Sequence, residues 1–233
     1  MTQNIKNIIR SVTKQFGFEI IRTYPRISKR HKTDNPLKVE FVGVSGAGKT
    51  TLYKQLVKSR TKKDNWLPLE QFLAHYEKQD RKQDSEEPHL KLLELKTKRI
   101  FNSQDHSLFT KMGLLSFFYE NLIKDRILYK HNKNYKVVWH DGVIHNYSAD
   151  FVKLYGQDKE SIAALLENTA VVYFNSTNTA VTRNIIKRQS QSGHLRPQHR
   201  NLTQEELMAK SEKSLLKKQE ILKVIKKHFR FSR

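Results

Sequence analysis

The 233 residues contain no cysteine, so disulfides and thiolate metal sites are excluded and a reducing compartment suits the chain. No stretch approaches the roughly 18 apolar residues of a membrane span. The first residues lack a continuous apolar core ahead of a small-residue cleavage site, which leads us to expect a cytoplasmic protein. Acidic residues are scarce: 23 Asp and Glu stand against 44 Lys and Arg, a net charge of +21. Such an excess favours polyanionic partners, among them nucleic acid, anionic lipid or a phosphorylated small molecule. The 10 histidines follow no metal-ligand spacing, although His140 and His145 straddle one acid, Asp141. With 37% apolar residues, including 12 Phe and 9 Tyr, the chain can still bury the core of one α/β domain.

Glycine is also sparse, at 8 residues, yet Gly43, Gly46 and Gly48 fall together in Lys38-Val-Glu-Phe-Val-Gly-Val-Ser-Gly-Ala-Gly-Lys-Thr50. Gly43, Gly48, Lys49 and Thr50 satisfy the phosphate-loop pattern G-x-x-x-x-G-K-[ST]. Val39, Phe41 and Val42 read as a buried strand entering the loop. Leu52, Leu56 and Val57 leave it with helical spacing. Glycines there let backbone N–H groups wrap a phosphate, and the helix aims its positive end at the same anion. The expected phosphate cradle is Gly43, Ser45, Gly46, Ala47, Gly48, Lys49, Thr50 and Thr51. In it Lys49 reaches the β- and γ-phosphates of ATP and the Thr50 hydroxyl ligates Mg²⁺.

Ile5, Ile8, Ile9, Val12 and Phe16 lie on one face of a basic N-terminal helix ending near Gly17. That helix could lie on an anionic membrane surface or pack on the protein itself. Phe18, Ile20 and Ile21 alternate around Glu19 like a short strand or a docking segment, and residues 23–37 read as a basic linker. The division expected is an N-terminal unit over 1–36 and a main domain over 37–233. Leu69, Phe72, Leu73 and Tyr76 predict a helix, Leu90 to Ile100 another, and Leu108 to Tyr129 a well-buried one. Two strands, Tyr135–Trp139 and Thr169–Phe174, each end in polar turn residues, as in a parallel sheet. Ligand groups gather beyond the carboxyl ends of such strands, so Asp141 and Asn175-Ser176-Thr177 should rise near Lys49. An amphipathic lysine-rich helix runs from about Gln204, and a last strand is conceivable at 228–232.

No L-S-G-G-Q segment of transporter ATPases occurs, and Asn132-Lys133-Asn134-Tyr135 lacks the acid that reads guanine in small GTPases. The chain resembles P-loop nucleoside and nucleotide kinases of the thymidylate kinase-like branch over about residues 38–203. The motifs that carry this are Gly43–Thr51, the strand end Val137-Val-Trp-His-Asp141-Gly142, and the basic segment after Phe174. The resemblance implies a three-layer α/β/α fold with a helical acceptor region over 66–129 and a basic lid at about 188–203. It further implies that Lys49, Asp141, Arg183 and Arg188 serve catalysis, that Arg196 helps bind nucleotide, and that Thr50 and Asp141 hold the metal. Thymidylate kinases carry Asp-Arg at this strand end, where this chain has Asp141-Gly142. Independently of the resemblance, phosphoryl transfer needs positive charge around three equatorial oxygens. Arg183 and Lys187 share a helix face, and Thr203 with Glu206 has capping-box spacing. The function expected is transfer of the ATP γ-phosphoryl group to a nucleoside, nucleotide or sugar-type acceptor. Nucleotide-dependent nucleic-acid binding or end processing is the alternative, and a sulfotransferase a weaker one.

Overall fold

The computed structural model describes residues 18–22, 37–61, 66–76, 87–104, 106–132, 135–192 and 202–228. The expected N-terminal helix, most of the basic linker, most of the expected lid with Arg196, and the strand proposed at 228–232 (beyond residue 228 itself) lie outside them.

Four short apolar segments form parallel strands: β2 (Lys38–Val42), β3 (Trp66–Pro68), β4 (Lys136–Trp139) and β5 (Thr169–Phe174). The order across the sheet is β1-β5-β2-β4-β3, so β2 occupies the centre. A fifth strand, β1 (Phe18–Arg22), pairs antiparallel with β5, with Phe18 opposite Phe174. The alternating segment at 18–22 is therefore an edge strand of the sheet.

Every residue of β2, β4 and β5 is buried, because parallel strands are covered on both faces, and their residues are mainly apolar apart from Lys38, Glu40, Lys136 and Thr169. Alternation still sorts them. Val39, Phe41, Ala170, Val172 and Phe174 join one core with Leu52, Tyr53 and Leu56 of α1 (Lys49–Ser59) and Val181 and Ile185 of the helix at 178–192. Val42, Val137, Val171 and Tyr173 join the other. It is filled by α2 (Leu69–Tyr76), α3 (Glu87–Phe101), α4 (Leu108–His131), and the helices α5 (Val143–Asn146), α6 (Ser148–Gln157) and α7 (Lys159–Leu165). Next come α8 (Asn178–Ser192) and α9 (Gln204–His228). α9 gives Leu207 and Leu215 to the first core and Ile221, Leu222 and Ile225 to the second. The chain is thus α/β with helices on both faces of the sheet, compatible with a three-layer α/β/α arrangement.

α9 starts on the predicted capping box. The Glu206 amide donates to Thr203 Oγ1 (3.2 Å), and the Thr203 amide donates to Glu206 Oε2 (2.8 Å). α4 departs from expectation. Leu108, Phe109, Met112 and Phe117 are exposed, Phe109 by 89%, and deep burial begins only at Asn121. Apolar residues surround the first three turns instead of defining one face, so their density overstates their burial.

Candidate functional site

β2 ends at Val42, and the chain turns back into α1 through residues 43–48. Gly46 and Gly48 take φ of 87° and 90°, a left-handed backbone that side chains disfavour. Gly46 is also confined: a Cβ there would stand 2.9 Å from the Val181 carbonyl oxygen. Asn184 donates to the Gly46 carbonyl at 2.8 Å, so α8 clamps this turn. Gly43 cannot carry a side chain either, because its Cβ would meet Phe174 Cβ at 2.8 Å. Beside Gly48 the space is open, with nothing within 4 Å of a Cβ, and the residue caps the N-terminus of α1.

Lys49 is buried, and its Nζ donates to the carbonyls of Gly43 (3.0 Å) and Val44 (3.1 Å). The same nitrogen lies 3.9 Å from Asp141 Oδ1. Asp141 follows β4, which pairs with β2 in parallel, so strand pairing alone brings loop and acid to one sheet end. The Asp141 side chain is one-third exposed, with His140 Nε2 at 3.7 Å and His145 Nε2 at 3.5 Å. Thr50 and Thr51 are exposed in the first turn of α1. Among the described residues no group of three His, Asp or Glu side chains is placed to hold a metal ion.

The structure thus gathers Gly43, Ser45 to Thr51 and Asp141. It does not bring Arg183 to them. Arg183 is exposed and two residues from both Val181 and Ile185, on the opposite side of α8 from the packed turn. Arg188 lies in α8, and its side chain is outside the described residues.

Three charges near the loop, Glu40 and Lys96 buried and Lys218 half-buried, escaped sequence reasoning. Glu40 of β2 is fully buried, accepts the His145 amide at 2.7 Å, and is pushed up to about 8 by that burial. Lys218 of α9 donates to the His145 carbonyl and, at 2.6 Å, to Ser148 Oγ. Burial and then the neighbouring Lys49 ammonium pull Lys218 down to about 7, against the opposing pull of Glu40 and Asp141. Lys96 of α3 sits 3.7 Å over the Phe118 ring, 3.0 Å from Asp150, and donates to the Asn146 carbonyl at 2.7 Å. Burial lowers it to about 8. Both lysines occupy positions where their helices show an apolar stripe: Leu92, Lys96, Ile100, and Leu215, Lys218, Leu222. A lysine interrupting such a stripe is the signal that could have found them.

No protein-family model, curated protein or solved structure matches this chain.

Proposed function

We propose that the chain is a P-loop phosphotransferase that moves the γ-phosphoryl group of ATP, with Mg²⁺, to a small acceptor. The observation carrying this is the turn between β2 and α1. Two left-handed glycines open its backbone, and Lys49 lies within 4 Å of an acid from the adjacent parallel strand. The residues present fit a metal-bound triphosphate: unobstructed space at Gly48 before a helix N-terminus, an exposed Thr50 hydroxyl, and a part-exposed Asp141. Bound Mg²⁺ would neutralise phosphate charge, with Thr50 and Asp141 as its protein ligands.

In this proposal the amides of residues 45–50 orient the phosphate chain. Lys49 exchanges its two carbonyl partners for phosphate oxygens, staying beside Asp141. Asp141 has the second option of accepting the acceptor's hydroxyl proton, with His140 and His145 adjacent to orient it. The tight packing of Gly46 on α8 holds the turn rigid, which preserves alignment between donor and acceptor. Arg183, Arg188 and Arg196 are assigned to positive charge above the site, and Arg183 reaches it only if its side chain or α8 turns. The acceptor, a nucleoside, nucleotide or sugar-type metabolite, is assigned to the helices on the Lys96 side of the sheet.

The test is label transfer from γ-³²P-ATP to a metabolite panel, read with binding of a fluorescent ATP analogue. Lys49→Ala should abolish transfer and weaken nucleotide binding at least tenfold. A fully active Lys49→Ala protein would refute the assignment. Steep salt-dependent DNA or RNA binding without transfer would favour the nucleic-acid alternative.

A further inference from the structure

Large apolar side chains exposed among the described residues are not spread evenly. Six of the eleven fall within residues 101–119: Phe101, Leu108, Phe109, Met112, Phe117 and Tyr119. Leu108, Phe109 and Met112 are 68%, 89% and 53% exposed. At about 100° per residue, the five on α4 share one half of the helix with Gly113 and Ser116. The other half is turned inward, with Phe118 packed on the core. No charged residue stands on the exposed half before Glu120. Lys111 Nζ donates to the Phe101 carbonyl at 2.9 Å, which joins the end of α3 and the start of α4 into one tip. A concentrated apolar patch of this kind marks a docking surface.

The tip stands at the end of the sheet that carries Lys49 and Asp141. Asn132, the C-cap of α4, donates to the Leu37 carbonyl at the amino end of β2 (3.1 Å). Twelve residues back, at Asn121, the helix has reached the other end: Asn146 Nδ2 bridges Asn121 Oδ1 (3.3 Å) and the Asp141 carbonyl (2.7 Å). A further twelve residues to Phe109 add about 18 Å of helix beyond that level.

Charge selects the occupant. From Lys98 to Tyr119 the chain carries three cations, Lys98, Arg99 and Lys111, against one acid, Asp105. Lys98 and Arg99 are exposed beside the tip, paired with Glu94 and Asp150. Two copies of a chain with net charge +21 repel each other, whereas an anionic bilayer attracts it. Nucleic acid calls for cations on the contact face, and this face is apolar. Three exposed turns are too short for a hydrocarbon core of ~30 Å, so the contact is interfacial.

We propose that the α3–α4 tip docks on an anionic lipid bilayer. Leu108, Phe109 and Met112 enter the boundary between headgroups and acyl chains, and Lys98 and Arg99 meet lipid phosphates. Docked in this way, the sheet end bearing Lys49 and Asp141 faces the membrane. The proposal is independent of the phosphotransferase reading, since docking requires neither nucleotide nor turnover.

The experiment is flotation of the full chain with vesicles of phosphatidylcholine, alone or with about one-third phosphatidylserine. Because the chain has no cysteine, a polarity-sensitive dye on Phe109→Cys labels the tip alone. Lys58→Cys, exposed near the end of α1, carries the same dye as control. Phosphatidylserine vesicles should float the protein, shift the dye at 109 to the blue and expose it to nitroxide-lipid quenching, leaving the dye at 58 unchanged. Leu108→Ser with Phe109→Ser should weaken vesicle binding at least tenfold without lowering the melting temperature, since both side chains are exposed. Vesicle binding that survives this double variant, or a dye at 109 that stays in water, would overturn the proposal. A blue shift that grows with protein concentration without vesicles would give the face to a second copy and overturn it too. So would the same shift on adding RNA alone.

Discussion

The Glu40 carboxyl occupies the place where a side chain at residue 142 would project: a Cβ on Gly142 would stand 2.3 Å from Glu40 Cδ. This explains why glycine follows Asp141. The space beyond residue 142 is already filled from β2, and the α5 N-terminus is anchored there by the His145 amide. Gly142→Ala should therefore cost about 2 kcal/mol, as overpacking of a filled interior does. The double variant with Glu40→Ala should recover part of that loss, a coupling that a double-mutant cycle in urea would measure. Strict additivity would show that the two residues do not compete for space.

Glu40 and Lys218 give the protein a pH dependence with two limbs. Folded Glu40 keeps its proton up to about 8, while the unfolded chain releases it near 4.5, so stability falls as pH rises between those values. Folded Lys218 loses its proton from about 7, while the unfolded chain keeps it to 10.5, so stability rises across that window. Urea unfolding should show a decline from about pH 5 to 7 that flattens or reverses near pH 8 and above. Glu40→Gln should gain on the wild type by at least about 1 kcal/mol between pH 5 and 8, roughly one pKa unit's worth. A constant difference at both pH values would place the carboxyl's titration elsewhere.

The glycines at the turn should fail for different reasons. Gly46→Ala combines a left-handed backbone with contact against the Val181 carbonyl, so it should destabilise more than Gly48→Ala. The latter meets open space and should cost only the backbone term, about 1–2 kcal/mol. Thermal melts compare the two. Nucleotide binding in Gly48→Ala, measured with a fluorescent analogue, then isolates the turn's geometry from its stability. Equal melting temperatures for both variants would mean that α8 yields freely at Val181.

Much of this fold was legible because strand and helix periodicity act locally. β4 and β5 announced themselves as short apolar runs, β2 by Val39, Phe41 and Val42 ahead of the glycine-rich turn, and Thr203 with Glu206 marked the start of α9. β3 did not: Trp66–Pro68 is three residues with a proline, too short to alternate, and its strand character comes from pairing with β4. The turn at Gly43–Thr50 and the acid at Asp141 were readable from motif and strand end. Glu40, Lys96 and Lys218 were not read, since the partners that hold them are distant in sequence. Lys218 reaches His145, 73 residues away.

Lys96 supplies the remaining prediction. Its ammonium is 1% exposed and shares Asp150 with Arg99, whose Nη2 lies 2.9 Å from the same carboxylate oxygen. Removing Lys96 leaves Asp150 paired, and a methionine keeps the hydrocarbon stem against Phe118 and Tyr147. Lys96→Met should therefore be neutral or stabilising by about 1 kcal/mol, because desolvating an ammonium costs more than one shared pair returns. Asp150→Asn removes the counter-charge of both cations and leaves Lys96 buried without it, so it should cost about 3 kcal/mol or more. Urea denaturation at neutral pH orders the three proteins. If Lys96→Met were as damaging as Asp150→Asn, the pair itself would be a net source of stability. If phosphoryl transfer fell in Lys96→Met while stability held, the lysine would be retained for the acceptor that this side of the sheet is proposed to bind.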